Sequence, residues 1–372
     1  MASDPRALFL RDKRVAREIS EDIRRLAREL GEEAKIMTFC GTHEHTVTYY
    51  GIRSLLPESV KIVAGPGCPV CVTPARDVDE AIELALSGIR VFTYGDMYRV
   101  PGSRKSLAEA RAEGADVRVV YGIADAIRIA REDGKESAFF SIGFETTAPI
   151  PASYLRRGLV PSNLKILSSH RLTVPILRYI LESPDIPLRG VIAPGHVSTI
   201  VGASAWRFVA EEFGIPVVVA GFEPIDVLLA IDLVLRQLVR GEARLVNEYK
   251  RAVKWEGNPL ARELMYSVFE AVDGLWRGIG VVPESALELR DSYSDLDARA
   301  QYGIEIRDSI DVRPGCRCSD VILGKAAPTE CPMFMRACTP SNPKGPCMVS
   351  SEGTCSIWAK YGGYPIFRRP PS

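Results

Sequence analysis

The sequence predicts an α/β protein with two similar parallel-sheet domains and a third, mostly helical and irregular domain. Three observations carry this. From Ala34 to Val219, short continuous apolar runs alternate with helix-length stretches, as parallel strands covered on both faces do. Parts of that pattern repeat along the chain. After Ile225 the strand pattern stops, and Gly, Pro and Cys accumulate toward the end.

Each element has its own reason. Val15, Ile19, Ile23, Leu26 and Leu30 recur three or four apart, so residues 14–30 form an amphipathic helix that Gly31 stops. Strands are expected at 35–39, 60–64, 91–94, 117–121, 138–142, 164–167, 190–193 and 217–220. Loops after such strands lie at the carboxyl edge of the sheet, where α/β proteins place ligands. IVAGPGCPV at 62–70 resembles VIAPGHVST at 191–199, TYGDM resembles VAGFEP, and TFCGTHEHT parallels FSIGFETTAP, with Glu44 and Glu145 similarly placed. Three matches in one order indicate duplication. The domains are therefore drawn as 32–125, 126–224, and 1–31 with 225–372. In the last, helices are expected at 225–240, 243–255 and 259–272, and irregular chain from Gly274 onward.

Composition narrows the function. Lys+Arg and Asp+Glu both total 47, which gives no electrostatic case for a nucleic-acid or anionic-membrane partner. The start, MASDPRALFLRDKRVAREIS, reads as neither a signal peptide nor an ordinary transit sequence. No apolar run approaches the roughly 20 residues that span a bilayer. A cytoplasmic protein is expected, and there nine cysteines read as metal-binding or redox-active sooner than as structural disulfides.

The cysteines are segregated. Cys40, Cys68 and Cys71 lie just after predicted strands, whereas Cys316, Cys318, Cys331, Cys338, Cys347 and Cys355 form a C-x-C-x12-C-x6-C-x8-C-x7-C tail. Structural zinc sites use paired C-x2–4-C knuckles, which the tail lacks. Six thiols exceed the four of a [4Fe–4S] cluster by two. An iron–sulfur cluster is the favoured reading, with zinc or metal-free thiols as alternatives. CPVC at 68–71 reads as a redox dithiol, or else as a zinc half-site or inert thiols. CGTHEHT sets Cys40 beside His43, Glu44 and His45, a soft ligand with proton carriers, or else a loop whose imidazoles cap backbone groups. The motif is expected in a loop, off any helix, and HEH is not the H-E-x-x-H of a zincin. His196 lies in the Pro-Gly-His loop. In GFETTAP, Glu145, Thr146 and Thr147 either face the cleft or cap the next helix. Neither a Walker A motif nor a G-x-G-x-x-G turn is present, which argues against nucleotide chemistry.

Taken in order, TFCGTHEHT, GPGCPVCVTP, GFETTAP and CRC…CPMFMRACTP…GPCMVSSEGTC closely resemble the HypD family of [NiFe]-hydrogenase maturation factors, over about residues 12–363. The resemblance implies two α/β domains facing a cleft and a third domain with a [4Fe–4S] cluster. It implies a scaffold on which the Fe(CN)2CO group is built, with a HypC-like small chaperone bringing iron and a HypE-like partner donating cyanide. Cys40 is then the iron ligand and Cys68 with Cys71 the redox pair of the cleft. Cys316, Cys331, Cys338 and Cys355 hold the cluster, with Cys318 and Cys347 as a further redox pair. A different class of function, a cluster-dependent thiol–disulfide oxidoreductase, uses the same cysteines but has no need of His43, Glu44 and His45. A zinc hydrolase is a third class.

Overall fold

The computed structural model describes residues 10–362. Residues 1–9 and 363–372 of the expected third domain lie outside the described residues. Among the described residues, eleven strands form two sheets. The first sheet takes β1 (Ala34–Thr38), β2 (Val60–Ala64), β7 (Gly190–Pro194), β8 (Val217–Ala220) and β9 (Leu245–Asn247). It is parallel throughout, in the order β2-β1-β7-β8-β9. The second takes β3 (Arg90–Thr93), β4 (Val117–Val119), β5 (Ser137–Gly143), β6 (Leu164–Arg171), β10 (Phe269–Trp276) and β11 (Gly280–Leu289). Its order is β10-β11-β6-β5-β3-β4, parallel except around the β10–β11 hairpin.

All eight strands expected upstream of residue 225 form, because continuous apolar runs such as 137–143 are buried along their whole length. Their grouping differs from the expected halves. β1 and β2 pair into the sheet of β7 and β8, while β3 and β4 pair with β5 and β6, so no division at 125/126 separates the sheets. The chain crosses to the second sheet after β2 and returns after β6. Local similarity between Pro-Gly loops reports a shared turn chemistry, and both of those loops belong to the first sheet.

The third region is also redrawn. Helix α1 (Lys13–Leu30) begins at Asp12, whose carboxylate accepts from the Arg14 amide at 2.7 Å, and ends at the left-handed Gly31. Its Ile23, Leu26 and Ala27 are buried with residues of β1 and of helix 224–239 over the first sheet. Residues 243–255 supply edge strand β9 instead of a helix. Helix Pro259–Val268 stops short of 272 and runs into the hairpin, which occupies the stretch expected to be irregular. Short apolar segments of this kind do not declare their period in sequence; pairing with β6 and β8 decides them. No helix among the described residues is long and apolar enough to cross a membrane.

Candidate functional site

In the first sheet the strand order reverses between β1 and β7, the position where open α/β sheets receive ligands. The loops at that carboxyl edge carry Cys40 after β1, Cys68 after β2, His196 after β7 and Phe222 after β8. Cys40 adopts extended backbone (φ −155°) and stands at the N-cap of helix α2 (Gly41–Tyr49), so CGTHEHT is helical, contrary to the expected loop. Two close approaches fix its neighbours. A Cβ on Gly67 would meet the Cys40 Cα at 2.5 Å, which holds the Gly-Pro-Gly-Cys turn against Cys40. A Cβ on Gly41 would meet the Glu352 carbonyl oxygen at 2.6 Å, which brings the cysteine-rich tail to the same point.

Cys40 is half-buried, and its thiol is pushed up to about 11 by burial and by the Glu352 carboxylate, against the pull of the Thr42 and His43 amides. Glu352 is itself raised, chiefly by burial, and accepts from the Thr42 hydroxyl at 3.4 Å. It went unnoticed in the sequence because SSEGTC offers only one carboxylate between two cysteines, with nothing to tie it to residue 40.

The three residues expected to serve Cys40 separate. His43 is buried, donates from Nε2 to the carbonyls of Gly221 (2.9 Å) and Ala220 (3.3 Å), and stacks on Phe222 at 4.7 Å. His196 stacks on the same ring at 4.0 Å. Burial lowers His43 to about 4, so its imidazole is neutral at pH 7, and Nδ1 has no partner. Glu44 is turned into a clamp. Its Oε2 and Oε1 accept from Arg53 at 2.7 and 3.0 Å, and Oε1 also accepts from the Thr48 hydroxyl (2.8 Å) and the Trp358 indole (2.7 Å). Arg53 lies over the Trp358 ring at 5.0 Å. What the structure shows of Glu44 is this anchoring: the carboxylate ties the tail helix Thr354–Tyr361 to the Cys40 helix. His45 packs between Tyr49 and Tyr361, with centroids 5.4 and 5.0 Å away.

Glu145 follows β5 in the second sheet. Its Oε1 accepts from the Thr173 amide (2.7 Å) and hydroxyl (3.0 Å), Oε2 has no partner, and burial raises the carboxyl to about 7. The following helix starts at Pro149 with Ala148 as its cap, so neither Thr146 nor Thr147 caps it, and Thr146 is exposed.

The remaining thiols form one continuous group. The buried Cys68 sulfur accepts from the Cys71 amide at 3.3 Å. Cys71, raised by burial, also contacts the sulfurs of Cys347 and Cys68. Cys347 in turn accepts from Cys318, Cys355 and Cys71, and these three S–H donors hold its thiol well below the usual range despite its burial. Cys316 is lowered to about 7 by its hydrogen bond with Cys318. A cavity is lined by all six tail cysteines with Phe334, Gly345 and Met348. Among the described residues no three His, Cys, Asp or Glu side chains close on a single metal-ion position. The thiols surround a space, and a soft, thiol-only donor set in an apolar wall fits an iron–sulfur cluster.

Residues 14–362 match the sequence profile of HypD, described as the hydrogenase formation hypA family. A putative hydrogenase expression/formation protein of Methanocaldococcus jannaschii is 46% identical over 356 residues, covering 95% of this chain and 98% of its own. The hydrogenase maturation factor HypD of Rhizobium leguminosarum bv. viciae is 43% identical over 368 residues, covering 95% and 94%. That of Cupriavidus necator is 42% identical over 366 residues, covering 95% and 96%.

Proposed function

The chain belongs to the HypD family, and from that premise we propose that it serves in [NiFe]-hydrogenase maturation as the scaffold on which the Fe(CN)2CO group is assembled. One observation carries the reading: Cys40, the CPVC turn and the tail cysteines, which are as far as 315 residues apart in sequence, meet at one sheet edge.

In this reading Cys40 is the protein's thiolate for the iron that is being dressed, a cargo brought by a small HypC-like chaperone and given cyanide by a HypE-like partner. Iron binding must displace the Cys40 proton, since the free thiol is held protonated up to about pH 11. Glu352 is the carboxylate placed to receive that proton. The neutral His43 fixes the wall through Phe222.

The thiols at the back of the site move electrons by exchange. Cys347 as thiolate attacks the Cys71 sulfur of an oxidised Cys68–Cys71 pair and expels the Cys68 thiolate. Cys318, a thiol that gives up its proton as the expelled Cys68 thiolate takes one up, then attacks Cys347, releasing Cys71 as thiolate and leaving a Cys318–Cys347 disulfide. Two electrons thereby pass from the tail pair to the CPVC pair, which ends as a dithiol. Cys316, Cys331, Cys338 and Cys355 would hold a [4Fe–4S] cluster, which supplies single electrons at that end.

The contact of Cys71 with Cys347 also favours a second reading, a cluster-dependent thiol–disulfide oxidoreductase. Infrared spectroscopy of the anaerobic complex with the chaperone separates the two. Metal-bound CN and CO bands in the wild type, lost in Cys40→Ala while tail iron is retained, are the expected result. Bands of undiminished intensity in Cys40→Ala would remove Cys40 as the iron ligand, and a wild-type complex with no such bands would favour the oxidoreductase.

A further inference from the structure

Among the described residues, the buried arginines are ion-paired with one exception. Arg90 meets Asp116 at 2.8 Å and Asp133 at 2.7 Å, and Arg171 meets Asp77 at 3.0 Å. Arg277, only 4% exposed, has no carboxylate of the described residues within ion-pair distance. Its Nε donates to the Asp311 carbonyl and its Nη2 to the Pro101 carbonyl, both at 2.8 Å, while Nη1 has no hydrogen-bond partner among the described residues. Both direct acceptors are neutral carbonyls, so no anion balances the cation at hydrogen-bond distance, and the Asp311 and Asp79 carboxylates act on it only from beyond ion-pair reach.

The anion is indicated by what surrounds the residue. Arg277 lines a small cavity with Cys316, Cys318, Lys344 and Gly345, directly behind the thiol-lined space. The Asp311 carboxylate is already engaged by the Ala75 amide (2.8 Å) and the Gly278 amide (3.3 Å). Lys344 spends its ammonium on the Asn342 side chain at 2.8 Å. Arg277 also reaches the other dithiol, since its amide donates to the carbonyl of Val72, the residue after Cys71, at 3.0 Å.

We propose that Arg277 is the built-in counter-cation of the tail thiolate centre, setting the reduction potential of the group those cysteines hold. The inference rests on the reading that the tail cysteines hold an anionic iron–sulfur cluster. Reduction adds one electron and thus one negative charge to that group. A fixed cation in a low-dielectric wall stabilises the reduced form more than the oxidised form, and so raises the potential. Arg277 is in this sense a positioning and tuning residue.

The test uses full-length wild type, Arg277→Gln and Arg277→Lys, all purified anaerobically, with iron content, absorption spectrum and midpoint potential measured for each. Expected are equal iron contents, a more negative potential in Arg277→Gln, and a potential near wild type in Arg277→Lys. An unchanged potential in Arg277→Gln, or the same drop in Arg277→Lys, overturns the proposal, because charge would not then be the cause. If Arg277→Gln fails to fold or to hold iron, the lysine variant decides: wild-type iron and potential support the role, and a lowered potential overturns it. Wild-type protein without iron would overturn the cluster reading itself and is distinguishable from all of these.

Discussion

Glu44 and Glu145 follow β1 and β5, each where the strand order of its sheet reverses, and both are buried, at 1% and 2% exposure. Their surroundings differ. Arg53 and Trp358 converge on Glu44 and bind both its oxygens. Glu145 receives the Thr173 amide and hydroxyl on one oxygen and pairs with no cation among the described residues, and burial raises its carboxyl to about 7. The same residue type after the same kind of strand is thus an ion-paired clamp in one sheet and an easily protonated acid in the other. Burial raises the Glu145 carboxyl, which no cation pairs with, whereas Glu44 meets Arg53 from the next turn of chain and an indole from the tail. The clamped helix is the one that has Cys40 at its N-cap and is met by the tail.

The largest way to break this contrast is Glu44→Ala. It leaves Arg53 without its anion and the Trp358 indole without its acceptor, so stability should fall by about 3–5 kcal/mol, read from the guanidinium midpoint. A loss below 1 kcal/mol would show that the clamp does not hold the tail.

Glu145→Gln sharpens the other side. Its folded-state carboxyl is raised from 4.5 to about 7, so protonation is favoured on folding. The stability this contributes is full below pH 4.5 and is lost as pH rises through about 7. The glutamine variant should match wild type near pH 4 and exceed it at pH 8 by on the order of 3 kcal/mol. Denaturation curves at the two pH values check this; equal differences at both would place the Glu145 carboxyl in the ordinary range.

Trp358→Phe keeps the ring under Arg53 but removes the N–H bond to Glu44. A loss of about 2 kcal/mol is expected, with faster hydrogen exchange in helix 354–361. Exchange unchanged from wild type would mean that the ring alone docks the helix. The smallest effect belongs to Thr146→Ala, which alters an exposed hydroxyl that caps nothing and should stay within about 0.5 kcal/mol. A larger loss in thermal melts would restore the capping role that the sequence allows.

The strands upstream of residue 225, helix α1 and the grouping of thiols into a tail, a CPVC turn and a lone Cys40 were legible in the sequence, because each depends on local periodicity or on residue type and spacing alone. The β10–β11 hairpin and β9 were not, since their short apolar segments become strands only by pairing with β6 and β8. Sheet membership was equally hidden: the chain crosses between sheets three times, after β2, β6 and β9, and nothing in a strand's own residues names its neighbour. At the site, the sequence specified that Cys40 would end a strand at a ligand-binding edge. Only tertiary packing decided that Glu44 would be spent on Arg53 and Trp358, that Glu352 would come to Cys40 from the tail, and that Cys71 would touch Cys347. Except for Glu44–Arg53, those contacts span hundreds of residues, and a carboxylate or thiol takes its chemistry from the charges and donors that folding brings to it.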